Sequence, residues 1–343
     1  SPGEHEYLET YDVDADHNQK CDDYRRLCRN RARRRRLERT TAGFSFDEFE
    51  AWHDPGDWVT PDVVDAAHQA ADAIEAATNA VQTMQTASDA LQAISAAQQG
   101  FAQWRKSGLE QRYKALMAIG DELIARQQEL GELLSREEGK PVAEGKGEVY
   151  RSGQFFHYYA AEVLRQIDER AESVRPGVEI DVRREPLGVV GIISPWNFPM
   201  ATAVWKIAPA LAFGNAVVFK PANLVPASAW ALTEIISRQG LPAGTYNLIN
   251  GSGREAGEAL ITSPRVQAIT FTGSLEVGRR VASATAANLV KCQLEMGSKN
   301  ALIVLDDADL DVAVDAAFAG AYSGSGQKCT ASSRLIVTDA VHD

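Results

Sequence analysis

The apolar positions fall into distinct textures along the chain. From Thr60 to about residue 166 they recur at helical spacing. "TPDVVDAAHQAADAIEAATNAVQTM" opens with Thr60 as a helix N-cap and Pro61 at the first helical position. A second start falls at Ser88, and "DALQAISAAQQGFAQW" runs on to Trp104. "LEQRYKALMAIGDELIARQQELGELLSREEG" then carries Leu116, Ile119, Leu123, Leu130, Leu133 and Leu134 on one helical face and ends near Gly139. A further helix is predicted through "GEVYRSGQFFHYYAAEVLRQ".

Beyond residue 180 the period changes. Short β-rich runs, "LGVVGIISP", "NAVVFKP", "TYNLIN", "VQAITFTG" and "ALIVL", alternate with the helical stretches "TAVWKIAPALAFG", "ASAWALTEIISRQG", "GREAGEALITS" and "LEVGRRVASATAAN". Continuous apolar strands separated by helices predict a parallel sheet covered on both faces. Ligands on such sheets sit at the carboxyl ends of the strands.

Residues 1–59 keep neither period. They hold "RRLCRNRARRRRLER", with nine Arg between Arg25 and Arg39, and then the acidic, aromatic "FSFDEFEAWHDPGDW". A basic block of this kind reads as a solvated, disordered leader, and otherwise as a nucleic-acid or membrane-surface segment. Cys21 and Cys28 lie with His5, His17 and His53 in this region at no zinc-like spacing, so no metal site is expected.

Composition narrows the class. At 343 residues the chain is longer than one core usually takes, so two lobes are expected. Apolar residues make up 45% and charged residues 24%, as in ordinary globular proteins, and the net charge of −12 disfavours a nucleic-acid surface over most of the length. No apolar run approaches the ~20 residues of a membrane span, and the acidic N-terminus has no signal-peptide core. Four scattered cysteines do not make a disulfide framework, which points to a reducing, cytoplasmic setting.

Candidate chemistry collects at the predicted strand ends. "IISPWNFP" ends at Trp196 and Asn197, in a segment that two prolines bar from helix or ladder. "VVFKPAN" ends at Lys220, with Asn223 three residues on. "AITFTGSLEVG" passes through Gly273 and Ser274 into a helix containing Gly278, whose first N–H groups suit a phosphate. Each alone is weak; three in order on an alternating β/α chain point to a nucleotide site. "KCQLEMGSKN" adds Glu295, just ahead of a strand, and "GSGQKCTASSR" adds Cys329 after a flexible small-residue segment. A thiol is a nucleophile only where its surroundings favour the thiolate. Cys292, with apolar neighbours, reads as a small packing residue.

"PWNFP", "FKPAN", "FTGSLEVG", "LEMGSKN" and "GQKCTASSR", in this order and at these intervals, resemble the aldehyde dehydrogenase superfamily. The likeness runs from about residue 88 to the end, is poor over 60–87 and is absent from 1–59. It implies a Rossmann-type parallel-sheet cofactor domain with its helical segment over 60–298, then an incomplete α/β catalytic domain over 299–343. It implies oxidation of an aldehyde by NADP or NAD. Cys329 would be the nucleophile, Asn197 and the Cys329 N–H the oxyanion donors, and Glu295 the general base. Lys220 would hold the cofactor ribose, Gly273, Ser274 and Gly278 the pyrophosphate, and Trp196 the pocket wall. Where NAD-preferring members often carry Glu, this chain has Asn223, which neither repels a 2′-phosphate nor grips a diol as a carboxylate does; NADP is therefore expected to be accepted.

The resemblance further implies a substrate tunnel lined by Phe198, Ala201, Thr202 and Trp205, with Tyr150, Arg151 and Gln154 on the other wall. Arg151 is a candidate for a substrate carboxylate. The wording "GQKCTASSRLIV" is most similar to α-ketoglutaric semialdehyde (2,5-dioxopentanoate) dehydrogenases, with succinic semialdehyde and aliphatic aldehydes as alternatives. Members are homo-oligomers and continue well past the cysteine, with a Glu-(Ile/Val)-Phe-Gly-Pro motif, a later aromatic beside the substrate and the last strand of an oligomerisation sheet. The chain is thus expected to be truncated: either a fragment of a working enzyme or a remnant that binds only nucleotide or a subunit.

Overall fold

The computed structural model describes residues 87–165 and 168–342. The Arg-rich leader and the helix expected from Thr60 lie outside the described residues. The described residues divide into two compact units, 87–296 and 297–342.

The first unit is built on a five-stranded parallel sheet. Four helices precede it: α1 (Ala87–Trp104), α2 (Leu109–Ala125), α3 (Gln127–Glu138) and α4 (Val142–Val163). A hairpin of β1 (Glu169–Glu172) and β2 (Glu179–Val182) follows. The sheet strands are β3 (Val189–Ile193), β4 (Ala216–Lys220), β5 (Tyr246–Leu248), β6 (Ala268–Gly273) and β7 (Lys291–Met296). Between them run α5 (Ala201–Ala212), α6 (Pro226–Ser237), the short α7 (Glu258–Thr262) entered through a π turn at Gly253–Gly257, and α8 (Leu275–Ala287). The strand order is β5-β4-β3-β6-β7. The chain therefore winds outward from β3 through β4 to β5, then returns to the other side of β3 as β6. That reversal falls between β3 and β6, and ligands on sheets of this kind sit at the carboxyl ends of the two strands flanking it.

Alternation along the strands feeds two cores. Val190, Ile192, Val217 and Phe219 pack with Leu116, Ile119, Phe156, Ile207 and Leu232 on one face. Val189, Ala216, Val218, Ile269 and Phe271 pack with Ile94, Leu260 and Val281 on the other. The predicted α/β class and the helices on both faces are thus what the chain forms. On the second face α1 lies against the loop before β5 with almost no clearance: a Cβ on Gly100 would come within 2.3 Å of the Gly244 carbonyl carbon.

Four local readings change. The long run from Leu109 is two helices, because Arg126 leaves helical geometry (φ −97°, ψ 16°) while its guanidinium meets Glu122, Glu129 and, from α6, Glu234. β1 and β2 have no apolar alternation to announce them; they are exposed throughout and tied by Arg170–Glu179 and Arg184–Glu169 pairs. β7 is also a strand, so Glu295 lies within it rather than in a loop. Cys292 is exposed on this edge strand, not packed, since β7 closes the sheet order and only Leu294 is partly covered.

In the second unit β8 (Asn300–Val304) pairs in parallel with β9 (Ser332–Val337), joined by α9 (Leu310–Tyr322). Asp309 caps α9 through its carboxylate on the Val312 N–H. Among the described residues α9 buries none of its own.

Candidate active site

The strand-end residues of the first unit gather at the carboxyl edge of the sheet. Ile193 is in register with Lys220 of β4 and with Phe271 of β6, so the segments after β3 and β6 leave the sheet side by side. Trp196 and Asn197 follow β3, Lys220 ends β4, and Gly273 and Ser274 lead from β6 into α8.

Of the helices that follow β3, β4 and β6, two have their N-termini occupied by protein carboxylates. Glu148 of α4 accepts from the Met200 and Ala201 N–H groups, 2.9 Å each, at the start of α5. Glu137 of α3 accepts from the Ala227 and Ser228 N–H groups, 2.8 and 2.7 Å, at the start of α6. In each case a carboxylate already accepts from those orphan donors and complements the helix dipole, which disfavours a second anion there. α8 is different. Its cap is neutral: Ser274 Oγ accepts from the Val277 N–H at 3.3 Å, and Ser274 and Leu275 are exposed. Gly278 is buried; a Cβ there would meet Met296 Sδ at 2.5 Å, so the glycine lets β7 close against the helix. A phosphate approaching this edge therefore meets an open helix start only at α8 among these three.

Lys220 is 5% exposed and donates to the Pro221 carbonyl at 2.9 Å and to Asn223 Oδ1 at 3.3 Å. Burial pushes its ammonium down to about 8. No carboxylate offsets that loss, because the third residue after the lysine is the amide Asn223. Glu295 belongs to a polar row on the α5 side of β6 and β7. Gln293 Nε2 donates to Glu295 Oε1 at 2.7 Å, and Gln293 Oε1 accepts from Lys206 Nζ at 3.2 Å and from Thr270 Oγ1. Burial pushes Lys206 down to about 8, with the charge of Glu295 opposing. Lys206 and Gln293 were missed by sequence reasoning, although a lysine inside the apolar "TAVWKIAPALA" is a legible anomaly.

The tunnel candidates divide. Thr202 is buried and its hydroxyl donates to the Phe198 carbonyl at 2.5 Å, so its polarity serves the backbone. Trp205 is 46% exposed with its ring 5.7 Å from Phe155 of α4, and Arg151 is exposed on the same helix. Cys329 lies in the second unit, exposed, between α9 and β9. Its loop is not loose. Gly324, Ser325 and Gly326 have φ of 66°, 56° and 68°, a left-handed turn that two glycines make accessible. Asn300 Nδ2 then donates to the Cys329 and Ala331 carbonyls at 2.9 and 3.2 Å. Among the described residues no group of His, Cys, Asp or Glu converges as a metal site, and no helix is long and apolar enough to cross a membrane.

A doubly wound parallel sheet with its polar groups at the strand-order reversal defines the class of α/β protein that holds a ligand at its carboxyl edge. Comparison with known proteins narrows the class to one family. Residues 59–343 match the aldehyde dehydrogenase family, a match that begins well before the motifs do. The chain is 42% identical over 249 residues to α-ketoglutaric semialdehyde dehydrogenase of Bacillus subtilis, covering 73% of this chain and 51% of that protein. It is 41% identical to the mitochondrial succinate-semialdehyde dehydrogenase of Arabidopsis thaliana, covering 73% and 47%. Among solved structures it is similar to an Escherichia coli NADP-dependent enzyme (TM-score 0.74, 38% identity, 75% and 54% covered). It is similar also to Staphylococcus aureus betaine aldehyde dehydrogenase in complex with NAD+ (TM-score 0.74, 36% identity, 75% and 52% covered). The chain belongs to the aldehyde dehydrogenase family. It spans about half the length of the relatives it matches.

Proposed function

We propose that the chain carries the cofactor site and the nucleophile of an NAD(P)-dependent aldehyde dehydrogenase acting on a semialdehyde, with α-ketoglutaric semialdehyde going to 2-oxoglutarate. The observation that carries this reading is the set of polar groups at the carboxyl edge of the sheet, open at α8 and closed at α5 and α6, within a chain of this family. The Cys329 thiolate adds to the aldehyde carbon, and the oxygen takes the electron pair as a thiohemiacetal alkoxide. The Asn197 carboxamide and the Cys329 N–H donate to that oxygen. Bound NAD(P)+ would supply the hydride acceptor for this adduct, so that Cys329 would then carry the acyl group as a thioester. Glu295 takes a proton from water as it attacks the thioester carbon, and the acid leaves as the thiolate reforms. Lys220 and the first turn of α8 would hold the ribose and pyrophosphate, and Trp196 would wall the pocket. Arg151 is the group that would meet the distal carboxylate, which favours a semialdehyde over an aliphatic aldehyde.

The test is a rapid-mix assay of the 343-residue chain with the semialdehyde and NADP+ or NAD+. One equivalent of reduced cofactor per chain supports the reading. No burst with nucleotide still bound overturns it for this chain and leaves a nucleotide-binding unit.

Cofactor choice has its own test. Lys220 is charged below about pH 8 and loses its proton above it. An anion binds the charged form, so affinity for NADP+ is expected to be flat below pH 8 and to fall by up to about tenfold per pH unit above it. Lys220→Met should bind NADP+ more weakly at pH 7 and lose this slope. Fluorescence titration of the cofactor across pH 6–10 measures both.

A further inference from the structure

The loop from Ser194 to Met200 carries Asn197 and connects β3 to α5. Pro195 and Pro199 have no N–H, and the segment joins neither strand nor helix. Two side chains from outside grip it. Lys140, just past the end of α3, and Glu148, on α4, form a buried ion pair with side chains 2% and 1% exposed. The Lys140 ammonium also donates to the Asn197 carbonyl at 3.2 Å and stands 4.1 Å from the centre of the Phe198 ring. The second oxygen of Glu148 holds the Met200 and Ala201 N–H groups. The pair thus clamps the loop on both sides of Phe198 and Pro199, and Thr202 fixes the Phe198 carbonyl between them.

Stability alone does not account for this arrangement. Burying an ion pair costs desolvation that an apolar pair of the same size avoids. Here the cost is compounded: Glu138 brings a second carboxylate to the same ammonium at 2.8 Å, and its Oε2 is buried with no hydrogen-bond partner. What the ions supply is direction. Once the Asn197 carbonyl and the Phe198 ring are fixed, rotation about the backbone of residue 197 is removed, and the carboxamide is left with only its own χ angles.

We infer that Lys140 and Glu148 are positioning residues of the oxyanion site: a buried ion pair that sets the backbone of Asn197, and through it the donor aimed at the substrate oxygen. The inference rests on the reaction proposed above, but its structural half is read without turnover.

The test uses the full chain with Lys140→Met, which keeps the length of the side chain, and Glu148→Gln, which keeps an acceptor for the two N–H groups. Amide hydrogen exchange is followed by mass spectrometry over residues 196–202, β4 and β6, together with NADPH affinity and the burst rate. Lys140→Met should raise exchange over 196–202 by tenfold or more, leave β4 and β6 unchanged, and hold NADPH affinity within twofold. Glu148→Gln should do the same to a smaller degree. The burst rate should fall at least tenfold in Lys140→Met with no change in the cofactor requirement. Unchanged exchange over 196–202 overturns the inference. So does a uniform rise that includes β4 and β6 in both variants, or failure of both to fold, since each marks a merely structural pair. Should Lys140→Met alone fail to fold, Glu148→Gln decides by the same criterion. If the unaltered chain gives no burst, the proposed reaction fails for this chain while the exchange result still decides the positioning role.

Discussion

Glu295→Gln is expected to yield one equivalent of reduced cofactor per chain and then stop, whereas Cys329→Ala yields none. The two outcomes separate the halves of the reaction. Adduct formation and hydride departure need the thiolate, its oxyanion donors and bound NAD(P)+ as hydride acceptor, but not the base, so removing the sulfur removes the burst altogether. Hydrolysis of the thioester needs a base for the attacking water. Gln keeps the size and one acceptor of Glu295 but cannot take a proton. Loss of such a base costs about 10²–10⁴ in rate, which should appear in steady-state turnover and leave the burst amplitude near one. Gln293 Nε2, which holds Glu295 Oε1 at 2.7 Å, can still pair with the carboxamide oxygen in the variant, so the strand is not expected to rearrange. Stopped-flow absorbance of the reduced cofactor distinguishes the cases. A burst in Cys329→Ala would assign the nucleophile elsewhere, and unimpaired turnover in Glu295→Gln would remove the proposed base.

Arg112→Ala is expected to destabilise the first unit by about 3–5 kcal/mol. Arg112 is 5% exposed and sits where α1 and α5 both end. It donates to the Trp104 and Arg105 carbonyls at 3.3 and 3.0 Å, to the Ala212 carbonyl at 3.5 Å and to Ser107 Oγ at 2.9 Å. Helix C-termini leave carbonyls without partners and carry partial negative charge, so one guanidinium here satisfies two ends at once. Burial lowers its pKa, yet the planar fork remains charged and reaches all four acceptors. Alanine removes the guanidinium from the Ala212 and Arg105 carbonyls, leaves the Trp104 carbonyl to Ser107 alone and opens a space beside the Trp104 ring. Arg112→Lys should recover less than half of the loss, because one ammonium cannot span both helix ends. Urea unfolding followed by circular dichroism, read as a shift in midpoint at constant slope, measures the effect. A shift equivalent to less than 1 kcal/mol would mean that water replaces the guanidinium at both ends.

The sequence by itself determined the elements that have a clean period and the residues that interrupt it. β3, β4 and β6 are legible because strands buried on both faces must be apolar throughout, and their ends are legible because Asn197, Lys220 and Ser274 break that rule where the backbone leaves the sheet. Family membership follows from the same residues in order. Tertiary structure alone decided the rest. β7 reads as polar because it is an edge strand with little to bury, so nothing in "KCQLEM" marks it until β6 pairs with it. At the break, the Arg126 guanidinium meets Glu234, 108 positions away, as well as the local Glu122 and Glu129. Which helix start stays open for an anion is likewise not local: α5 and α6 are closed by Glu148 and Glu137, carboxylates contributed by α4 and α3. Period and propensity are set by neighbours along the chain, whereas the partner of a buried charge or an orphan N–H is whatever the fold brings to it, and that information is not written at any one position.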